Sequence, residues 1–169
     1  MIREKIKDLL NKIDAVRMIY YHDYCPSNSR DGGCYSFEDY FEKDGDSWIV
    51  EHYTSCEGFA YCPVFGTWQD CARCWYWDYD EEKEGFRCFA DYKRISTERL
   101  ANEIFENYFD PQTSIYFEIG KEEILLKSAD YHHFKTDYCT RCGFEMEPIE
   151  ERTIEDLERD LENVKRNLS

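Results

Sequence analysis

The residues best suited to chemistry in this 169-residue chain are four cysteines arranged as two C-x-x-C pairs. The pairs are Cys71 with Cys74 and Cys139 with Cys142. Two thiolates at this spacing bind one metal ion from a tight turn, and four sulfurs complete the tetrahedral coordination that Zn²⁺ prefers. We therefore predict a structural zinc site whose ligands are Cys71, Cys74, Cys139 and Cys142.

The second pair, in the segment YCTRCGF, resembles a zinc knuckle. Gly143 follows its second cysteine, and glycine permits the left-handed turn in which backbone N–H groups face the sulfur atoms. The first pair is followed by Trp75 instead. The two pairs are separated by 64 residues, whereas simple two-pair zinc motifs have about 15 to 20. The resemblance to a zinc ribbon therefore covers two tetrapeptides, and a shared zinc ion would join distant parts of the fold.

The cysteines have four alternative uses. A redox pair is disfavoured because Cys74 runs into the strand-like segment WYWDYD instead of opening a helix, and because acidic neighbours raise a thiol pKa. Cys88 fits a small buried hydrophobe on an apolar strand face. Cys62 is an alternative fourth ligand. A second metal site would draw on the remaining candidates, which are His22, Cys25, Cys34, Cys56, His132 and His133.

The cysteine count and the chain ends predict a cytoplasmic location. Nine cysteines cannot all pair within one chain, so reduced thiols or metal ligands are expected. The first residues, MIREKIKDLLNKIDAV, lack the apolar stretch of a signal peptide, and no segment has the roughly 20 apolar residues of a membrane span. No membrane partner is expected.

Two helices are predicted at the ends of the chain. Apolar residues recur at steps of three and four over about residues 2–18 and again over 154–168, where Thr153 and Asp156 form a pattern like a capping box. Each predicted helix has an apolar seam along one side. Three roles are open for the two seams: packing on a sheet, pairing with each other, or forming a homodimer interface. Packing within the domain is the favoured use.

The middle of the chain alternates with period 2, which predicts strands. One hairpin joins 35–43 to SWIVEHY through Asp44-Gly45-Asp46, a second joins WYWDYD to FRCFADY, and a third joins SIYFEI to EILLKS. A helix capped by Ser96 and ended at Asp110-Pro111 separates the second and third hairpins. The expected fold class is a single α+β domain over 1–169, with a mainly antiparallel sheet of about six strands, three helices and zinc stabilisation.

The charge restricts the partners. Asp and Glu number 37 against 21 Lys and Arg, a net charge of -16, while aromatic residues make up 17% of the chain. The rings argue against disorder. Direct binding to DNA or RNA depends on cationic side chains that neutralise phosphates, so the balance nearly excludes it and favours a basic partner.

The acids are concentrated in three blocks, 31–60, 78–84 and 145–162. Asp-Tyr dipeptides occur six times, against about one expected from the frequencies of the two residues. Carboxylates replace phosphate charge and tyrosine rings provide stacking surfaces, as in a nucleic-acid mimic. Ordinary solvated strand faces have a similar composition. The predicted partner-binding residues lie in two hairpins and are Asp78, Tyr79, Asp80, Glu81, Glu82, Glu84, Glu38, Asp39, Tyr40, Glu42, Asp44 and Asp46.

Enzyme signatures are missing from the sequence, which has no phosphate-binding glycine loop, no G-x-S-x-G and no H-E-x-x-H. The chain is therefore expected to be an inhibitor or binding protein. By size and charge it resembles nucleic-acid-mimicking inhibitors such as phage anti-CRISPR and anti-restriction proteins, and immunity proteins of nucleases. This resemblance implies a basic nucleic-acid-binding protein, a nuclease or CRISPR effector, as partner. A zinc-stabilised adaptor without mimicry is the alternative, and a thiol enzyme is the third hypothesis.

Overall fold

The computed structural model describes residues 1–20, 37–54, 59–62, 67–70, 77–80, 85–88, 94–129 and 151–168. The predicted zinc ligands Cys71, Cys74, Cys139 and Cys142 lie outside these ranges, as do Glu81, Glu82 and Glu84.

The described ranges contain three helices and ten strands. The helices are α1 (Ile2–Leu10), α2 (Thr97–Tyr108) and α3 (Ile154–Asn167). The strands are β1 (Ala15–Tyr20), β2 (Phe37–Asp44), β3 (Ser47–Thr54), β4 (Phe59–Cys62), β5 (Thr67–Asp70), β6 (Trp77–Asp80), β7 (Gly85–Cys88), β8 (Arg94–Ser96), β9 (Thr113–Ile119) and β10 (Glu122–Lys127).

Eight of these strands form one sheet, in the order β10-β9-β1-β2-β3-β7-β6, and β8 pairs with the start of β3. β4 and β5 pair separately. Every pairing in the described ranges is antiparallel. The predicted α+β class and antiparallel sheet are confirmed, and each of the three predicted hairpins is found.

The N-terminal helix is shorter than predicted, and the prediction of a helix over 2–18 is wrong. α1 ends at Leu10, and residues 15–20 form β1, which pairs with β2 on one side and β9 on the other. Val16 and Met18 are fully buried. They alternate with Arg17 and Ile19 at period 2, so the same residues fit a strand as well as the helical seam. Residues 15–20 form a strand instead of continuing the helix because they pair with β2 on one edge and with β9 on the other.

The helices cover one face of the sheet. α1 packs against α2 and α3, α2 packs on β9, β8 and β3, and α3 packs on β10. The two terminal seams are therefore used inside the chain. The core residues of helices and strands belong to one cluster, whose largest fully buried members are Trp48, Tyr108, Phe41, Phe117, Ile6, Leu10, Ile13, Met18, Leu100, Ile104, Ile115 and Leu157.

Side-chain caps fix where α2 and α3 begin. The Ser96 hydroxyl accepts a hydrogen bond from the Arg99 N–H at 3.1 Å, which confirms the predicted cap of α2. The Thr153 hydroxyl accepts from the Asp156 N–H at 3.2 Å, and the Asp156 carboxylate accepts from the Thr153 N–H at 2.8 Å. This reciprocal pair is the predicted capping box of α3.

Two tight turns require glycine. Gly45 (φ +62°) joins β2 to β3, and Gly120 (φ +59°) joins β9 to β10. Both angles lie in the left-handed region that disfavours residues with a Cβ atom. The Asp14 carboxylate accepts a hydrogen bond from the Gly120 N–H at 2.7 Å, which ties the second turn to the start of β1.

Candidate functional site

The sheet face opposite the helices carries most of the charged and tyrosine residues of the central strands. Antiparallel partners point to the same face, so the pairing register defines rows of side chains across the sheet. We call the following set the acidic face: Glu38, Tyr40, Glu42, Glu51, Tyr116, Glu118 and Glu123, with Arg17 at its centre.

One row of the acidic face contains three carboxylates. Ala15 pairs with Glu42 on one side and Glu118 on the other, and Glu118 pairs in turn with Glu123. Neighbouring strands are about 4.8 Å apart, so Glu42 and Glu118 are separated by about 10 Å at the backbone. Like charges directly opposite each other, as at Glu118 and Glu123, destabilise a sheet. The row therefore has a cost for folding stability.

The adjacent row is aromatic and contains the central cation. Arg17 pairs with Tyr40 in β2 and Tyr116 in β9. Its guanidinium carbon is 4.7 Å from the centroid of the Tyr116 ring, and its Nη2 donates to Glu123 at 2.9 Å. Arg17 Nη1 is 4.0 Å from Glu38. Arg17 thus interacts with the carboxylates of Glu123 and Glu38 and with the ring of Tyr116.

Tyr40 is held by the carboxylate row. Its hydroxyl donates to Glu118 Oε2 at 2.9 Å, across the width of β1. Partial burial raises the pKa of Tyr40, and the hydrogen bond to Glu118 and the charges of Glu42 and Glu51 raise it further. Tyr40 therefore stays a neutral phenol over the physiological pH range. Its ring lies on the acidic face and its hydroxyl proton is hydrogen-bonded to Glu118.

The acidic face has an excess of negative charge. It has five glutamates and one arginine, a net charge of -4 with all groups ionised. Glu42 and Glu123 are exposed, and the other members are half-buried. Leu125 of β10 pairs with Tyr116 of β9 and is 47% exposed, so the face also offers apolar contact. Such a surface can bind an array of cationic groups and stack against planar ones.

The predicted partner-binding residues that the structure describes lie in different parts of the fold. Glu38, Tyr40 and Glu42 lie on the acidic face. Asp44 and Asp46 are exposed near the Gly45 turn, and Asp44 forms an ion pair with Arg94. Asp78, Tyr79 and Asp80 belong to β6, the edge strand of the same sheet.

Asp39 lies on the other side of β2 and is fully buried, so it is not part of an accessible surface. It belongs to a polar group beneath the sheet with Tyr20 and with Glu103, which is 6% exposed. Burial raises the pKa of Tyr20 well above its ordinary value, and the nearby charges of Asp39 and Glu103 raise it further. The Tyr20 hydroxyl is therefore kept protonated beside the two acids.

Sequence reasoning missed five of the eight residues of the acidic face. It did not single out Arg17, Glu51, Tyr116, Glu118 or Glu123. Alternation within SIYFEI and EILLKS already places Tyr116 with Glu118 and identifies Glu123 as a strand residue. The missing information was the placement of β1 between β2 and β9, which brings their glutamates into one row.

The described ranges contain neither a cluster of metal ligands nor a membrane-spanning helix. Within them, no group of three or more His, Cys, Asp or Glu side chains is arranged to hold a metal ion. No helix in that part of the chain is both long and apolar enough to cross a membrane. Comparison with family models, curated proteins and solved structures gave no match.

Proposed function

We propose that this protein is an acidic inhibitor that occupies the basic nucleic-acid-binding cleft of a partner protein and excludes its substrate. The acidic face is the observation that supports the proposal most directly. It combines carboxylates with tyrosine rings, the two kinds of group needed to replace phosphates and bases in a cleft.

The cost of the carboxylate row supports a binding role. Glu118 and Glu123 face each other across β9 and β10, and Glu42 is the next acid in the same row. A face selected only for solubility has no need for directly opposed like charges, because separated acids serve equally well. Arg17 already pairs with Glu123 and the Tyr40 hydroxyl donates to Glu118, and a cationic partner would relieve the repulsion that these bonds leave. The net charge of -16 would accelerate the encounter.

The partner chemistry follows from this surface. A nuclease, a CRISPR effector or another nucleic-acid-binding protein presents a lysine- and arginine-rich cleft of the kind required. Arginine is especially suited to the acidic face, since its guanidinium forms bidentate bonds to carboxylates and also stacks on tyrosine.

The test is capture of partners from cells on the immobilised protein, followed by elution with single-stranded or duplex oligonucleotides. A mimic is displaced by nucleic acid, because both occupy one cleft. An adaptor, the alternative function, remains bound while its partner holds nucleic acid. Retention of the complex at saturating oligonucleotide would therefore reject mimicry.

A matched pair of variants tests whether the acidic face is the surface used. The face variant carries Glu42→Gln, Glu118→Gln and Glu123→Gln. The control carries Glu106→Gln, Glu151→Gln and Glu162→Gln, three exposed acids outside the acidic face, and has the same net charge. At about 1 kcal/mol for each lost ion pair, the face variant should bind on the order of 100-fold more weakly. Equal weakening in both variants would show that net charge alone drives binding.

We also propose that zinc bound by Cys71, Cys74, Cys139 and Cys142 stabilises the fold. The support is the spacing of the two pairs, whose four sulfurs match the coordination of structural zinc. Native mass spectrometry should show one zinc ion per chain, and Cys71→Ser should remove metal and stability together. A Cys71→Ser protein that folds normally but loses a catalytic turnover would instead support the thiol-enzyme hypothesis.

A further inference from the structure

Lys127 is a lysine in the core. It ends β10 and is 2% exposed. The pairing register shifts just before it: Leu125 pairs with Tyr116, whereas Lys127 pairs with Ile115, so Leu126 is an extra residue. In a regular strand, residues two apart point to the same face, so without this β-bulge Lys127 would point to the same side of the sheet as Leu125. The bulge turns it to the helix-facing side with the buried Ile115.

The ammonium group of Lys127 has one hydrogen-bond acceptor in the described part of the chain. It donates to the backbone carbonyl of Asp110, just beyond the end of α2. Its Nζ is 5.8 Å from the centroid of the Tyr108 ring. Among the described residues, no carboxylate forms an ion pair with it.

The Asp160 carboxylate, which contacts the same tyrosine, is bonded to groups other than Lys127. Asp160 on α3 accepts from the Tyr108 hydroxyl at 2.6 Å and lies 3.5 Å from Arg152 Nη1. The Arg152 guanidinium carbon is 5.3 Å from the centroid of the same Tyr108 ring. Two cations therefore approach one tyrosine ring, while the acid at this junction is bound to the tyrosine and to Arg152.

The electrostatics make both charge states of Lys127 accessible near neutral pH. Burial, the largest cause, and the charge of Arg152 lower its pKa to about 7, while the charge of Asp110 acts in the opposite direction. The charged groups that act on it are Asp110, after α2, and Arg152, before α3, and the ring of Tyr108 lies beside it with its hydroxyl bonded to Asp160 of α3. From β9, its register neighbour is Ile115, which does not titrate.

We propose that Lys127 is a protonation-controlled latch that holds β10 and α3 on the rest of the fold. Neutral Lys127 lets β10, the end of α2 and α3 pack together. Protonated Lys127 adds an ammonium group to a site that already contains the charge of Arg152, while the Asp160 carboxylate is bonded to Tyr108 and Arg152, which favours opening. β10 is an edge strand and α3 is the last helix, so these elements can separate while β1, β2 and β3 stay paired.

Hydrogen exchange followed by mass spectrometry tests the latch at about pH 6, 7 and 8.5, with rates corrected for intrinsic exchange. Opening restores the ordinary pKa of 10.5. With the folded value of about 7, protection of β10 and α3 should therefore rise about 30-fold from pH 6 to pH 8.5. Protection of β2 and β3 should change much less.

Two substitutions fix the two charge states. Lys127→Met should give high protection of β10 and α3 at every pH, and Lys127→Arg should give low protection throughout. Lys121→Met, which removes an exposed lysine from the β9–β10 turn, should keep the wild-type trend.

Three results would overturn the latch. One is an equal change of protection in β2 and β3, which would indicate global unfolding. Another is a pH trend that persists in Lys127→Met. The third uses the wild-type protein and so does not depend on how well that variant folds: an NMR titration in which the Lys127 Cε resonance titrates near 10.5 would reject the latch.

Discussion

Replacing Arg17 by Gln tests whether one cation holds the acidic face together. Arg17 is 28% exposed in its side chain, donates to Glu123 at 2.9 Å and stacks on Tyr116 at 4.7 Å. A partly exposed ion pair contributes about 1 kcal/mol, and a cation–π contact at such a site about 0.5 to 1 kcal/mol. The 4.0 Å approach to Glu38 adds little. The free energy of unfolding should fall by about 2 kcal/mol at low salt.

Salt separates the charge effect from packing. Without Arg17 the five glutamates of the acidic face repel one another with no cation among them. The Debye length falls from about 30 Å at 0.01 M salt to about 3 Å at 1 M. The cost of Arg17→Gln should therefore shrink to about 1 kcal/mol at about 1 M NaCl, measured by urea denaturation.

Arg17→Lys is the matched control. It keeps the charge but loses the planar group that stacks on Tyr116, so its cost should be about 0.5 to 1 kcal/mol and vary less with salt. A double-mutant cycle with Glu123→Gln measures the pair itself. An Arg17→Gln cost that is identical at both salt concentrations would refute the electrostatic argument.

Two further stability predictions concern a helix cap and the core. Thr153→Ala removes the hydroxyl half of the capping box of α3 and should cost about 1 kcal/mol in urea denaturation at neutral pH. Hydrogen bonds from Thr153 and Arg159 lower the pKa of Asp156, so this cost should shrink as pH falls through that lowered value, and a constant cost in acid would contradict it. Phe41→Ala, at a fully buried site, should cost about 3 to 5 kcal/mol. Tyr40→Phe, next to it on the other face, removes one hydrogen bond and should cost about 1 kcal/mol; comparable losses would show that the two faces are not distinct.

Local sequence patterns were sufficient for most elements. Period 2 predicted all three hairpins, and cap residues predicted where α2 and α3 begin, because turns and caps depend on a few neighbouring residues. β1 was missed because its alternation overlaps a helical seam, and only its partners β2 and β9 distinguish the two. That information is non-local.

The candidate site was predictable in part for the same reason. Alternation placed Glu38, Tyr40 and Glu42 on one side of β2, as found. It also placed Asp39 on the opposite side with Phe41, but not its complete burial, which depends on how the helices pack. The ion pairs of Arg17 depend on strand order, and so could not be read from its own segment. The zinc ligands lie outside the described residues and remain a prediction.

The bulge at Leu126 makes the length of β10 significant in evolution. Most strands tolerate substitution more readily than a change in length, since one inserted or deleted residue reverses the facing of everything beyond it. Leu126 is the exception, because deleting it would place Lys127 directly after Leu125 in a regular ladder, still paired with Ile115 on the helix-facing side. A homologue one residue shorter here should therefore keep a buried lysine, whereas one of equal length without the bulge should have an apolar side chain at the buried end of the strand.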